Sequence, residues 1–149
     1  MAHHISEAYF SYIYNRSNDQ CMKTNDEILL EIRGESIGII THESSVEEIF
    51  QNQTLRPILK FKNDLILEVF RNYAIKQKGV YFTLSPHKKE SYIENAIQRD
   101  IKFRNLLKGI VIGLFTTNEY SEYIKNSSNI NKRMMNLVIE RLKNQIQIL

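Results

Sequence analysis

The residue types that most often carry chemistry are sparse in this chain. Its four histidines are His3, His4, His42 and His87. None has a carboxylate three residues before it, so the Glu-x-x-His pairs of di-iron bundles do not occur. No His-Glu-x-x-His is present either. His3 and His4 lie at the terminus, where they are expected to pick up stray metal at most. His42-Glu43 juxtaposes an imidazole and a carboxylate in a loop, an acid–base pair at best and a solvated polar turn otherwise. Cys21 is the sole cysteine, which rules out an internal disulfide or a CxxC zinc pair. It precedes the first clear helix with no base near it, so it reads as an incidental thiol. There is no glycine-rich phosphate loop. Gly109 and Gly113, four apart in a helical segment, read as a device for close helix packing. The residues therefore nominate no catalytic group, no metal site and no cofactor.

Two basic features stand out. Arg99-Asp100-Ile101-Lys102-Phe103-Arg104-Asn105-Leu106-Leu107-Lys108 places Arg104 and Lys108 on one helical face, with Asp100 one turn before Arg104 and able to pair with it. Read plainly, this is a solvated basic face with one ion pair. Read functionally, it is a site for phosphate, nucleic acid or an acidic partner. The second feature is the unit 117–142: a short helix, a turn near Asn126–Ser128, and a helix beginning Asn129-Ile130-Asn131-Lys132-Arg133. It has the layout of a helix-turn-helix, although any two helices joined by a polar turn look alike and this turn lacks glycine. Arg99, Lys102, Arg104, Lys108, Lys132 and Arg133 together form the candidate basic surface.

Charge segregation supports looking there. Over 149 residues the formal charge is +3, but residues 1–50 carry a net −6 and residues 51–149 a net +9. Either the acidic segment folds back onto the basic one, or a basic face is left for an anionic partner.

The elements that must position these residues are helical. Hydrophobic residues make up 42% and charged residues 25%, a globular balance, and only 5 glycines and 2 prolines are present, too few for a turn-dense all-β fold. Thr24–Glu27, Ser45–Glu48 and Thr116–Glu119 are capping-box signatures. The first opens a helix closed by Gly34. Ser36–Thr41 is ambiguous: Ile37 and Ile39 alternate like a short strand, and Gly38 weakens a strand or a helix alike. Thr54 is expected to cap the clearest helix, with Leu55, Ile58, Leu59, Leu65, Ile66, Val69, Phe70 and Tyr73 on one face and Gly79 as its stop. Ser85-Pro86 restarts a helix, which continues or breaks at Asp100. The segment ending at Phe115 is apolar nearly all round and is expected to be the central helix. The last helix is expected from about Asn129. The reading is all-α: an irregular antiparallel bundle of about five to seven helices, with residues 1–21 an N-terminal extension and residues 22–149 one domain.

From Met22 onward the chain resembles a family of short bacterial proteins of no established function. The resemblance is carried by Phe50-Gln51-Asn52-Gln53-Thr54-Leu55-Arg56-Pro57-Ile58-Leu59-Lys60, by Tyr92-Ile93-Glu94-Asn95-Ala96-Ile97-Gln98-Arg99-Asp100-Ile101-Lys102-Phe103-Arg104-Asn105, and by Asn131-Lys132-Arg133-Met134-Met135-Asn136. Members are often labelled glyoxalase, which would imply a lyase. The residues themselves show almost no strand pattern and no His, Gln and Glu ligand set of the kind glyoxalase I carries on strands.

The functional expectation is a cytoplasmic interaction or regulatory module that binds another protein. The alternative is nucleic-acid or phosphate binding through the basic C-terminal two-thirds, weak for nucleic acid because acidic residues are interspersed. A glyoxalase-type enzyme ranks third. No secretion signal or membrane span is read, since the longest apolar stretch, Ile110–Phe115, is far too short. The last helix carries more apolar residues than one stripe needs, and Ile139 and Ile148 are nominated for self-association, with a homodimer as the simplest outcome; the competing reading is that two helices of the same bundle flank this one and cover both sides.

Overall fold

The computed structural model describes residues 23–149. The N-terminal extension, and with it His3, His4 and Cys21, lies outside the described residues. Every regular element among the described residues is helical.

Helix α1 (Asn25–Arg33) starts as its capping box requires: the Thr24 hydroxyl accepts from Glu27 N at 3.3 Å, and the Glu27 carboxylate accepts from Thr24 N at 2.6 Å. Gly34 ends it at φ 75. Residues 37–39 form no strand. They are an irregular connection pinned to the next helical rod: Ile37 N donates to Asn52 O at 2.9 Å, and Asn52 Nδ2 donates to Ile39 O at 3.1 Å. Gly38 sits between at φ +112, where a Cβ would come within 2.9 Å of Arg56 Nη1 and 3.0 Å of the Asn52 side chain. Asn52 can approach this closely because residue 38 has no side chain.

Ser45 caps α2 (Val46–Phe50) by accepting from Glu48 N at 3.2 Å, one half of the expected box. The chain does not then stop and restart at Thr54. It runs through a π-helical turn (Gln51–Leu55) into α3 (Arg56–Phe61), and Thr54 is buried inside the rod rather than capping it. Pro57 supplies a physical reason. Its ring would collide with the carbonyl four residues back in a regular helix, and the wider π turn just before it relieves that contact. Lys62, at φ −98 and ψ 14, then breaks the rod from α4 (Asn63–Lys76). The apolar spacing restarts there, so Leu65 is 45% exposed while Ile66, Leu67, Phe70 and Ala74 are buried. Counting the α2–α3 rod once gives seven helices among the described residues, within the expected number.

Gly79, left-handed at φ 67, closes α4, and a 3-10 turn (Val80–Thr83) drops Tyr81 into the core edge-on to Phe70, ring centroids 5.0 Å apart. Helix α5 (Pro86–Arg99) begins at Ser85-Pro86 as expected. It breaks at a single residue, Asp100, whose carboxylate caps α6 (Ile101–Ile112) by accepting from Phe103 N at 3.0 Å. Helix α6 buries Phe103, Leu107 and Val111 but exposes Ile101 and Leu106, so it is amphipathic rather than central. Gly109 has no neighbour within 4 Å of where its Cβ would be, so the glycine pair does not seat a close helix contact.

Thr116 and Glu119 form a full capping box at the start of α7 (Thr117–Lys125). One residue, Asn126, joins it to α8 (Ser127–Lys143), which begins two residues earlier than expected. Helix α8 is the central element. It buries Ile130, Met134, Met135, Val138, Ile139 and Leu142 and packs on α5, α6, α7 and the π turn. Each large side chain so buried stabilises the fold by roughly 1.5–3 kcal/mol before entropy is counted. No helix of the described residues is long and apolar enough to cross a membrane.

Candidate functional site

Three of the six nominated cations converge. The cleft between α5, α6 and α8 encloses about 440 Å3 and is lined by Arg104 and Lys108 from α6 and Lys132 from α8. Its uncharged polar lining is Gln98, Ser128, Asn131 and Asn136, and its apolar lining is Ile97, Met135 and Ile139. No carboxylate lines it.

Local structure explains the convergence. Arg104 and Lys108 are one turn apart on α6, on the same face as the sequence requires. The expected Asp100–Arg104 pair is not made: Asp100 spends its carboxylate on capping α6, and Arg104 Nη1 donates instead to Gln98 O at 3.0 Å. That bond turns the guanidinium toward the α5 end of the cleft. Asn131 is held too, its Oδ1 accepting from Tyr123 Oη at 3.0 Å, which leaves its amide N–H groups for other partners.

The other three nominated residues point elsewhere. Arg99 lines a separate depression with Tyr73, Tyr92 and Asp100. Lys102 is exposed, about 200° around α6 from Arg104 at 3.6 residues per turn. Arg133 faces the opposite side of α8, where it donates to Gln51 Oε1 at 3.0 Å. There it lines a larger cleft of about 610 Å3 with Arg56, Lys132, Glu47 and Glu140. That cleft is mixed in charge, with Glu47 and Glu140 set among its cations. Lys132 stands on the ridge of α8 between the two clefts and lines both, whereas Arg133 lines only the mixed one.

The acidic segment does not neutralise the basic one pair by pair. Among the described residues, no salt bridge joins a carboxylate of residues 23–50 to a cation of residues 51–149. The one ion pair between the two parts runs the other way, from Arg33 to Glu119. Sequence reasoning missed it. Arg33, on α1, donates from Nη1 to Glu119 Oε2 at 2.8 Å and to Leu114 O at 2.7 Å, and from Nη2 to Glu119 Oε1 at 2.7 Å. Thr54 Oγ1 and Thr116 N also donate to this carboxylate, each at 2.7 Å. Burial alone would push the Glu119 carboxyl up, but the Arg33, Thr116 and Thr54 hydrogen bonds together hold it below the usual range. This cluster is structural: it ties α1, the π turn and α7 together.

The remaining nominations resolve simply. His42 and Glu43 are both almost fully exposed, 3.8 Å apart, in the solvated-turn arrangement. Among the described residues no three His, Cys, Asp or Glu side chains gather where they could share a metal ion. Ile139 is 7% exposed and belongs to the monomer core, so it cannot face a second chain as nominated, whereas Ile148 is 57% exposed. The spacing misassigned Ile139 because α5 and α6 flank α8 on both sides and cover a wider stripe than one neighbour would.

No family model matches the chain, and no curated protein or solved structure does, so nothing found bears on the glyoxalase label.

Proposed function

We propose that the protein is a cytoplasmic binding module whose partner presents an anionic group, phosphate or carboxylate, to the cleft between α5, α6 and α8. The observation that carries this reading is the meeting of Arg104, Lys108 and Lys132 from two helices in a cleft that no carboxylate lines. Folding such an arrangement brings like charges together, and an anion is what relieves it. The direct test is salt-dependent binding of inorganic phosphate or a polyanion, followed with the charge-reversed variant Lys132→Glu. Binding that is weakened by salt and by the substitution supports the reading, and binding indifferent to both removes it.

A second reading, docking of a protein partner, is favoured by α1. This helix exposes Ile28 and Ile32, one turn apart on the same face and each more than two-fifths exposed, while Arg33 fixes its C-terminal end to the bundle. Exposed apolar side chains concentrated on one anchored helix suit a protein interface. Ile32→Glu would abolish capture of such a partner without lowering the melting temperature.

A further inference from the structure

The anionic reading leaves open whether the partner is a polymer or a small molecule, and the cleft's shape and lining separate the two. Its volume of about 440 Å3 lies in the range of small-molecule sites. A nucleic-acid strand needs cations spaced along a path and aromatic faces for its bases. Neither is present. No aromatic ring lines the cleft, and Arg99 and Lys102, which would extend the row of charge along α5 and α6, face elsewhere.

What the cleft offers is an asymmetric lining. Three cations supply the charge to hold a dianion. Met135 and Ile139, each 7% exposed, present their outer edges as an apolar floor, with Ile97 fully buried beneath them. Gln98, Asn131, Asn136 and Ser128 supply neutral donors and acceptors between the two. Arg104 is already oriented by its bond to Gln98 O and Asn131 by Tyr123, so part of the ordering cost of binding is met before a ligand arrives.

We infer that this cleft binds a small amphipathic anion, a phosphate-type dianion carried on a compact apolar body. The inference rests on the anion-binding reading and narrows it to a ligand class. The phosphate oxygens accept from Lys108, Lys132 and the free Arg104 N–H groups, and the apolar body lies on Met135 and Ile139.

The test is calorimetric titration of the full chain with inorganic phosphate, phenyl phosphate, phenol and a short oligothymidylate, at low and at physiological salt. Phenyl phosphate should bind roughly tenfold or more tighter than inorganic phosphate, the gain expected from burying a ring. Lys108→Glu should weaken both by at least about tenfold through the loss of a charge-assisted contact. Lys76→Glu, at the end of α4 and away from the cleft, should change neither. Circular dichroism checks that Lys108→Glu is folded, and Lys108→Gln replaces it if it is not. Equal affinities for phosphate and phenyl phosphate overturn the amphipathic ligand but keep the anion site. Tighter, Lys108-dependent binding of oligothymidylate likewise keeps the anion site and overturns the small-molecule class. No anion binding, or binding that ignores position 108, overturns both.

Discussion

Arg33 and Glu119, 86 positions apart, meet in a two-pronged ion pair at 2.7 and 2.8 Å, with the Arg33 side chain 1% exposed. Removing one member leaves the other buried and uncompensated. Arg33→Met should therefore destabilise the fold by about 3 kcal/mol or more, read as a lower urea midpoint at unchanged slope. Glu119→Gln turns an amide NH2 against two of the four donors that meet this carboxylate and leaves Arg33 without its counter-charge, so it should cost a comparable amount.

The same carboxylate makes stability depend on pH in a defined direction. Glu119 titrates below its ordinary value of 4.5 in the folded protein. The unfolded chain therefore binds the proton first, and the stabilisation is complete above the unfolded value and lost as pH falls through the folded one. Melting temperatures from neutral pH downward should drop below about pH 4.5, and the drop should be shallower in Glu119→Gln.

Deleting Gln53, an exposed residue of the π turn, should restore ordinary helical spacing between α2 and α3. A π turn holds one extra residue in about the same rotation as an α turn, so α2 and α3 would keep their facing while the turn between them tightens. The Pro57 ring would then meet the carbonyl four residues back, the collision the π turn relieves. The melting temperature should fall by more than for Gln53→Ala, which keeps the residue count and should be near neutral.

Ile139 and Ile148 separate core from surface on the C-terminal segment. Ile139→Asp buries an unpaired carboxylate and should unfold the monomer or cost several kcal/mol, on the order of 3. Ile148→Asp should change stability by about 0.5 kcal/mol or less. If the chain forms a dimer through this end, sedimentation will show Ile148→Asp monomeric and still helical.

Gly38→Ala combines a left-handed φ with a Cβ 2.9 Å from Arg56 Nη1 and 3.0 Å from Asn52. A cost of about 1–3 kcal/mol is expected in thermal unfolding. Gly34→Ala, at φ 75 but facing open space, carries the backbone part of that cost alone.

Where the signal is local, the sequence is readable. Thr24 with Glu27, Thr116 with Glu119, Ser85-Pro86, Gly34 and Gly79 mark helix ends through contacts within about one turn, and all five fall at helix ends, although Ser85 makes no side-chain capping bond and Pro86 alone carries that start. The break at Lys62 carries no glycine or proline, and the π turn is a response to Pro57 that spacing rules assume away, so both were missed. The pairing of Arg33 with Glu119 depends on packing across most of the chain. So does the cleft: Arg104 and Lys108 share a face by helical arithmetic, but Lys132 joins them only once α8 lies against α5 and α6. Arg99, Lys102 and Arg133 were nominated by composition, and the helical rotation that separates them takes effect only when those helices have fixed neighbours.

The corners at Asp100 and Asn126 are each a single residue long. Neither has slack to absorb an inserted residue without swinging a whole helix, and both corners lead into helices that form the cleft walls. Chain length can vary instead where backbone turns freely over the surface, at the exposed His42-Glu43 turn between α1 and α2 and around Lys78 before the 3-10 turn. A fluorophore or epitope spliced at either of those places would report on the molecule without disturbing its cleft, whereas the same insertion beside Asp100 would dismantle it.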